Sequence, residues 1–323
     1  MKVVAWGLVL MLTTAALLVL GVAVGSTGWS PPWMASGDAL AWDIAWDIRA
    51  PRGVGAWLAG ALLGLGGAIA QGVFRNPLAD PYLLGSSSGA ALGVAIFLAL
   101  VGVSPAATSL AMRLGLTGAA FLGAVGAVLL TLVLAKGVQH TLRLLLAGVV
   151  VGVVLGALSA LTMLMVPDIM RAMQAFMLGT TGFLGWGSAW ILMAVLVCSV
   201  VVAWACSRAL DALSLGDAAA ISLGVRLTLV RALLVGAMAL ATGAAVAQAG
   251  LISFVGLVAP HLVRSRVHTT HGPLLVLSAM AGGVLLLGAD IAARWVLAPL
   301  ELPVGVLTAV LGGGYLLWRM HRA

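Results

Sequence analysis

The segment ALLVGAMALATGAAVAQAGLISFVGLVAPHLV, residues 232–263, contains no Asp, Glu, Lys or Arg. It is too long for one membrane-crossing helix, which takes about 20 residues, and short for two. Arg231 stands at one end, and Arg264 and Arg266 at the other. Basic residues that flank membrane segments favour one side of the bilayer. For both ends to stay on that side the chain must cross and return, and Gly250 is the natural turning point.

The rest of the chain has the same character. Of its 323 residues, 63% are hydrophobic and 8% are charged, where soluble domains carry roughly 25% charge. Mean hydropathy is +1.20. So few charges cannot clothe a soluble surface, and so apolar a chain is not a disordered one. The uncharged runs are too long for the strands of a transmembrane barrel and lack their alternation. What remains is an all-α, polytopic membrane protein. Its formal charge of +7 belongs to basic loops on the cytoplasmic side, not to a nucleic-acid surface. Cys198 and Cys206 share one apolar segment; on a helix they lie ~12 Å apart, too far for a disulfide.

Further spans fall at 3–24, 54–74, 83–103, 114–135, 144–166, 190–205, 274–296 and 304–318. With two crossings in 232–263 they make about ten transmembrane helices, with both termini cytoplasmic. The first reads as an uncleaved helix, since its apolar run exceeds that of a signal peptide. Between 25 and 47, Trp29, Trp33, Trp42 and Trp46 suit a membrane-interface belt. Residues 176–186 are too short and Gly-rich to cross, and read as an interfacial or re-entrant piece. This path places Lys2, Arg75, Lys136, Arg143, Arg208, Arg226, Arg231, Arg264, Arg266, Arg319 and Arg322 inside. Arg49, Arg52, Arg113, Arg171 and Arg294 fall outside. No soluble domain is inserted, so 1–323 reads as a single transmembrane domain. Gly67-Ala-Ile-Ala-Gln71-Gly echoes Gly243-Ala-Ala-Val-Ala-Gln248-Ala-Gly, one running inward and the other outward, as in an inverted repeat.

Several chemistries have no support. The only lysines, Lys2 and Lys136, do not sit in a P-loop, so ATP hydrolysis is not encoded here. There is no H-E-x-x-H, and His140, His261, His268, His271 and His321 read as loop residues at helix ends, so no metal site is expected. Gly85-Ser86-Ser87-Ser88-Gly89 matches the nucleophile-elbow pattern of an intramembrane serine protease. No histidine lies at its depth in another span, and small residues that let backbones approach explain the run better. An ion-coupled secondary transporter carries acids in mid-membrane, yet none lies between Asp80 and Asp168 or between Asp217 and Asp290. Asp290 and Arg294, four residues apart, read as a structural ion pair near the outer end. The chain shows no energy source of its own.

Four stretches carry a resemblance. Ile48-Arg-Ala-Pro-Arg52 opens the second span. Phe74-Arg-Asn-Pro-Leu-Ala-Asp-Pro-Tyr-Leu-Leu-Gly85-Ser-Ser-Ser-Gly89-Ala leads into the third. Leu213-Ser-Leu-Gly-Asp-Ala-Ala-Ala-Ile-Ser-Leu-Gly224-Val lies between the sixth and seventh. Gly256-Leu-Val-Ala-Pro-His261 is followed by Ala289-Asp-Ile-Ala-Ala-Arg294 and Glu301-Leu-Pro-Val-Gly305. In this order they resemble the permeases of ABC importers for ferric siderophores, haem and vitamin B12, the FecCD family.

The resemblance implies a fold of the vitamin B12 transporter type in the bacterial inner membrane, working as a pair of copies. It implies two ABC ATPase subunits that hold ATP and Mg, and a periplasmic substrate-binding protein. The chain itself would bind no cofactor and would not be an enzyme. Its cargo would be a metal chelate, haem or a ferric siderophore before cobalamin. Arg49, Arg52 and Arg294 would dock the binding protein, the guanidinium fork suiting carboxylates. Leu213, Leu215, Gly216, Asp217, Ala219, Leu223 and Gly224 would form an amphipathic coupling helix against the ATPase, with Asp217 capping it or pairing with the ATPase. Asn76 and Pro77 would turn the chain near the cytoplasmic end of the path, and Gly85, Ser86, Ser87, Ser88 and Gly89 would lead a helix toward its axis. Gln139, His140, Thr141 and Leu142 are candidates for a cytoplasmic gate. The rival readings are the ion-coupled secondary transporter and the intramembrane serine protease.

Overall fold

A computed structural model describes residues 2–25, 28–34, 39–102, 110–138 and 141–322. The chain runs through α1 (Lys2–Ala23), a two-residue hairpin of β1 (Val24–Gly25) and β2 (Gly28–Trp29), and α2 (Ala39–Ile44). A π-helical turn (Ala45–Arg49) then leads into α3 (Ala50–Val73). Next come α4 (Ser86–Val101), α5 (Leu110–Leu134), α6 (Thr141–Met165), α7 (Met170–Leu178) and α8 (Trp186–Ala205). Two short helices follow, α9 (Ser207–Ser214) and α10 (Asp217–Ser222). The chain closes with α11 (Leu227–Ala249), α12 (Val255–Arg266), α13 (His271–Trp295) and α14 (Val304–Arg322).

Seven segments are long and apolar enough to cross a membrane, and α4 and the apolar part of α14 are shorter. Gly250 does end α11, at φ +71. The return crossing, however, is only partly helical. Helix α12 has 12 residues, ~18 Å at 1.5 Å per residue, which is less than a bilayer core. Residues 251–254 are not helical, and Phe254 takes a left-handed conformation at φ +68. Helix α4 likewise starts late, at Ser86, after a non-helical approach that ends at Gly85, φ +81. The two interruptions meet: Tyr82 Oη donates to Ile252 O at 3.1 Å.

The packing has the pattern of two exchanged halves. Helix α3 packs on α12 and α13, and α11 packs on α4 and α5. Each half thus lends its first helix to the other, with α4–α6 answering α12–α14, as the Gln71 and Gln248 echo suggests. Helix α3 is buried along nearly its whole length. It can be, because its Gly and Ala faces admit neighbouring backbones without a hydrophobic driving force between spans. The tightest case is Gly67, where a Cβ would overlap the Gly256 carbonyl of α12. By contrast α1 and α8 expose Leu8, Met11, Leu12, Trp190, Val197 and Val201 on their outer faces, which suits lipid.

Candidate functional site

The few charges gather at the two ends of the bundle. At the end where α3 begins and α13 finishes, Asp290 is fully buried and shared among three donors. Arg52 Nε donates to its Oδ1 at 3.0 Å and Arg294 Nη2 to its Oδ2 at 2.7 Å. Thr181 Oγ1 also donates to Oδ1. Arg52 Nη1 then reaches Glu301, 2.9 Å to Oε2 and 3.2 Å to Oε1. Arg294 Nη1 donates to the carbonyls of Gly21 and Val24, at 3.0 and 2.7 Å, and its Nε to the Asp290 carbonyl at 3.4 Å. Arg49 serves Val22 O, Ser30 O and Ser30 Oγ.

This network revises one expectation. Arg294 is 1% exposed, so it is not part of an outward ring of docking arginines. Its Nη1 ties the end of α1 to α13, while its Nη2 pairs with Asp290 on its own helix, which is the ion-pair reading of Asp290 and Arg294. Arg52 is half-buried and shares its charge between Asp290 and Glu301. Glu301 stands in a stretch that carries the resemblance but with no role attached, and Thr181 has no sequence signal at all. Each meets a residue more than a hundred positions away, so no local pattern reveals the partner.

At the opposite end α3 stops at Val73 and the chain turns through Arg75, at φ +49. Two side-chain caps hold the turn. Asn76 Oδ1 accepts from Leu78 N at 2.9 Å, and Asp80 Oδ1 from Tyr82 N at 2.8 Å. These are the Asx turns expected of Asn-Pro and Asp-Pro neighbourhoods. Beyond the turn Ser86 is buried, while Ser87 and Ser88 are half-buried. Gly89 packs against Gly123 of α5, so small residues here serve close helix approach. Thr141 and Leu142 begin α6, with Leu142 exposed; Gln139 and His140 lie outside the described residues.

The expected amphipathic helix over 213–225 is instead two helices. Gly216 at φ +107 separates α9 from α10, and Gly224 at φ +81 ends the second; left-handed backbone of this kind is open chiefly to glycine. Leu213 belongs to α9 and is buried. Leu215, Ile221 and Leu223 are 70%, 60% and 65% exposed, and Ala219 is half-buried. Asp217 pairs within the chain: Arg231 Nη2 lies 2.8 Å and Arg75 Nη2 3.5 Å from its Oδ1. Two further polar links lie near this end. Asp211 of α9 accepts from His271 N at 2.9 Å and sits 2.7 Å from His271 Nδ1. Arg264 donates to Gln71 Oε1, and Gln71 Nε2 to Leu257 O at 3.3 Å. Among the described residues, no group of three His, Cys, Asp or Glu side chains could hold a metal ion.

The model of the FecCD transport family matches residues 9–322. The chain belongs to the FecCD transport family. FecCD relatives include the vitamin B12 import system permease protein BtuC of Klebsiella pneumoniae, 39% identical over 98% of this chain and 93% of that one. The hemin transport system permease protein HmuU of Yersinia pestis is 38% identical, covering 90% of this chain and 86% of its own. A solved metal-chelate type ABC transporter in an inward-facing conformation superposes with a TM-score of 0.86 at 26% identity, covering 97% and 98% of the two chains. PsaBC from Streptococcus pneumoniae shares the fold at a TM-score of 0.57 and 17% identity, covering 81% and 88%. FecCD membership accounts for the order of the four stretches and for the helical, membrane-spanning architecture.

Proposed function

We propose that this chain is the transmembrane permease subunit of an ATP-driven importer that moves a metal chelate from periplasm to cytoplasm. The observation that carries this reading is the end-to-end FecCD match, shared with permeases named for vitamin B12 and hemin. The cargo class is haem, ferric siderophore or cobalamin, with an iron chelate preferred. Residues 1–323 act as one permease domain of the bacterial inner membrane, with both termini cytoplasmic by the bias of basic residues. Two copies pair around a path, since one copy supplies half of a symmetric pore. Two ABC ATPase subunits, which hold ATP and Mg, dock from the cytoplasm, and a periplasmic binding protein docks from outside.

The charge distribution supports an external motor. Among the described residues of α1, α3, α5, α6, α8, α11 and α13, Asp290 is the only acid, and two arginines and a threonine engage it. A carboxylate so engaged is poorly placed to carry a proton or sodium ion through the membrane. The exposed Leu215, Ile221 and Leu223 then supply an apolar contact for the ATPase. Arg52, with Arg49 beside it, faces the binding protein.

The test is reconstitution of the chain in vesicles with its ATPase and binding protein. ATP hydrolysis should rise when the binding protein carries its cargo, and uptake should persist with an ionophore present. Supplying haem, a ferric siderophore and cobalamin in parallel identifies the cargo. A chain that stays monomeric and never engages an ATPase sinks the proposal.

A further inference from the structure

We infer that Asp217 is a positioning residue that transmits movement of α10 to the spans, an inference that rests on α10 being the ATPase contact. The short helices on either side of Gly216 are attached differently. Helix α9 is held by burial of Leu210 and Leu213. Its Asp211 carboxylate also takes both the backbone N–H and Nδ1 of His271, the first residue of α13. It is therefore fixed to the base of α13. Helix α10 buries only Ala220 and presents Ile221, with Leu223 just past its end, outward. Its ionic attachment is the Asp217 carboxylate, in its first turn.

That carboxylate joins two other elements. Arg231 lies on α11 with its side chain 2% exposed, and donates at 2.8 Å. Arg75 lies in the turn that follows α3, 3.5 Å away and 44% exposed. Through Asx caps at Asn76 and Asp80 the same turn leads into the start of α4. A push on α10 therefore divides at Gly216, whose left-handed backbone breaks the helix. Helix α9 stays with α13, while the Asp217 pairs deliver the displacement to α11 and to the α3–α4 turn. These two elements belong to the two exchanged halves, so one carboxylate reaches both. A partly buried ion pair suits this role because its geometry is defined and its separation is costly, whereas the surrounding apolar contact is small.

The complete transporter in vesicles, with ATPase and binding protein, provides the test, read as cargo moved per ATP hydrolysed. Asp217→Asn should keep the ATPase bound and hydrolysing while cargo per ATP falls about fivefold to tenfold, inside the roughly twofold to thirtyfold coupling changes seen along such networks. Asp217→Glu should recover most of the loss. Arg75→Gln removes one leg without orphaning a buried charge, and should give a smaller fall with normal thermal stability. An unchanged cargo-to-ATP ratio in Asp217→Asn and Arg75→Gln overturns the inference. So does simple loss of ATPase binding in Asp217→Asn, which would make Asp217 part of the dock. Cross-linking Leu223→Cys to the ATPase checks the underlying reading separately: no cross-link in any nucleotide state means that α10 is not the contact.

Discussion

Asp290 and Arg294, one turn apart on α13, form an ion pair at 2.7 Å in which neither side chain reaches the surface. Arg52 completes the group from α3, 238 residues away in sequence. Two guanidiniums thus depend on one enclosed carboxylate. Removing it should leave uncompensated buried charge, which costs about 3–5 kcal/mol. Asp290→Ala should therefore lower thermal stability in detergent sharply. A combined Asp290→Leu, Arg294→Met variant should be less damaged than Asp290→Ala, and melting curves of the three proteins decide it.

Arg52 divides its charge between Asp290 and the more exposed Glu301. Arg52→Gln should weaken docking of the binding protein about tenfold, an effect larger at low salt because exposed charge is screened. Glu301→Gln should not weaken docking, since it releases one arm of Arg52. Titration of the reconstituted permease with binding protein at two ionic strengths measures both. Equal affinity for wild type and Arg52→Gln removes Arg52 from the docking face.

Gly67 and Gly256 allow α3 and α12 to touch backbone to backbone. Gly67→Val should force the helices apart, at a cost of about 1–3 kcal/mol or more. Gly126 of α5 has open space where a Cβ would stand, so Gly126→Val should fold normally. Thermal midpoints and monodispersity in detergent compare the two.

Trp42 and Trp46 lie four residues apart and exposed, as do Asp43 and Asp47 beside them. The Trp46 ring sits 5.3 Å from that of Trp186, which opens α8 and its lipid-facing side. Such a split suits a segment lying in a headgroup region. Lipids brominated near the headgroup should quench tryptophan emission, and the Trp42→Phe, Trp46→Phe double variant should lose part of that quenching. Quenching identical to wild type argues against burial of this edge in the interface.

Much of this was legible one residue at a time. Runs such as 232–263 and 144–166 declare their spans by composition, because a bilayer core tests only local hydropathy. Pro51, Asn76 and Asp80 mark their helix start and turns through local backbone chemistry. The 213–225 segment misled because its apolar spacing is helical, while Gly216 and Gly224 break it. Spacing measures the side chains, and the break lies in the backbone. Helix α12 misled for a related reason: an uncharged run long enough to return across the membrane need not be helical throughout. Here the non-helical residues 251–254 are housed by protein, with Tyr82 on Ile252, as irregular backbone at membrane depth requires.

Taken alone, the sequence determined that the protein is helical and membrane-embedded, because solvation and helix formation act over a turn or a span, and the order of its four stretches gave the family. Only the tertiary structure decided which charges meet. It buried Arg294 on Asp290, gave Arg52 to Glu301, and set Asp217 between Arg231 and Arg75. Those partners come from helices that are distant in the chain. Whether an arginine is a docking group or a brace is set by the enclosure those helices create, which no property of the arginine itself records.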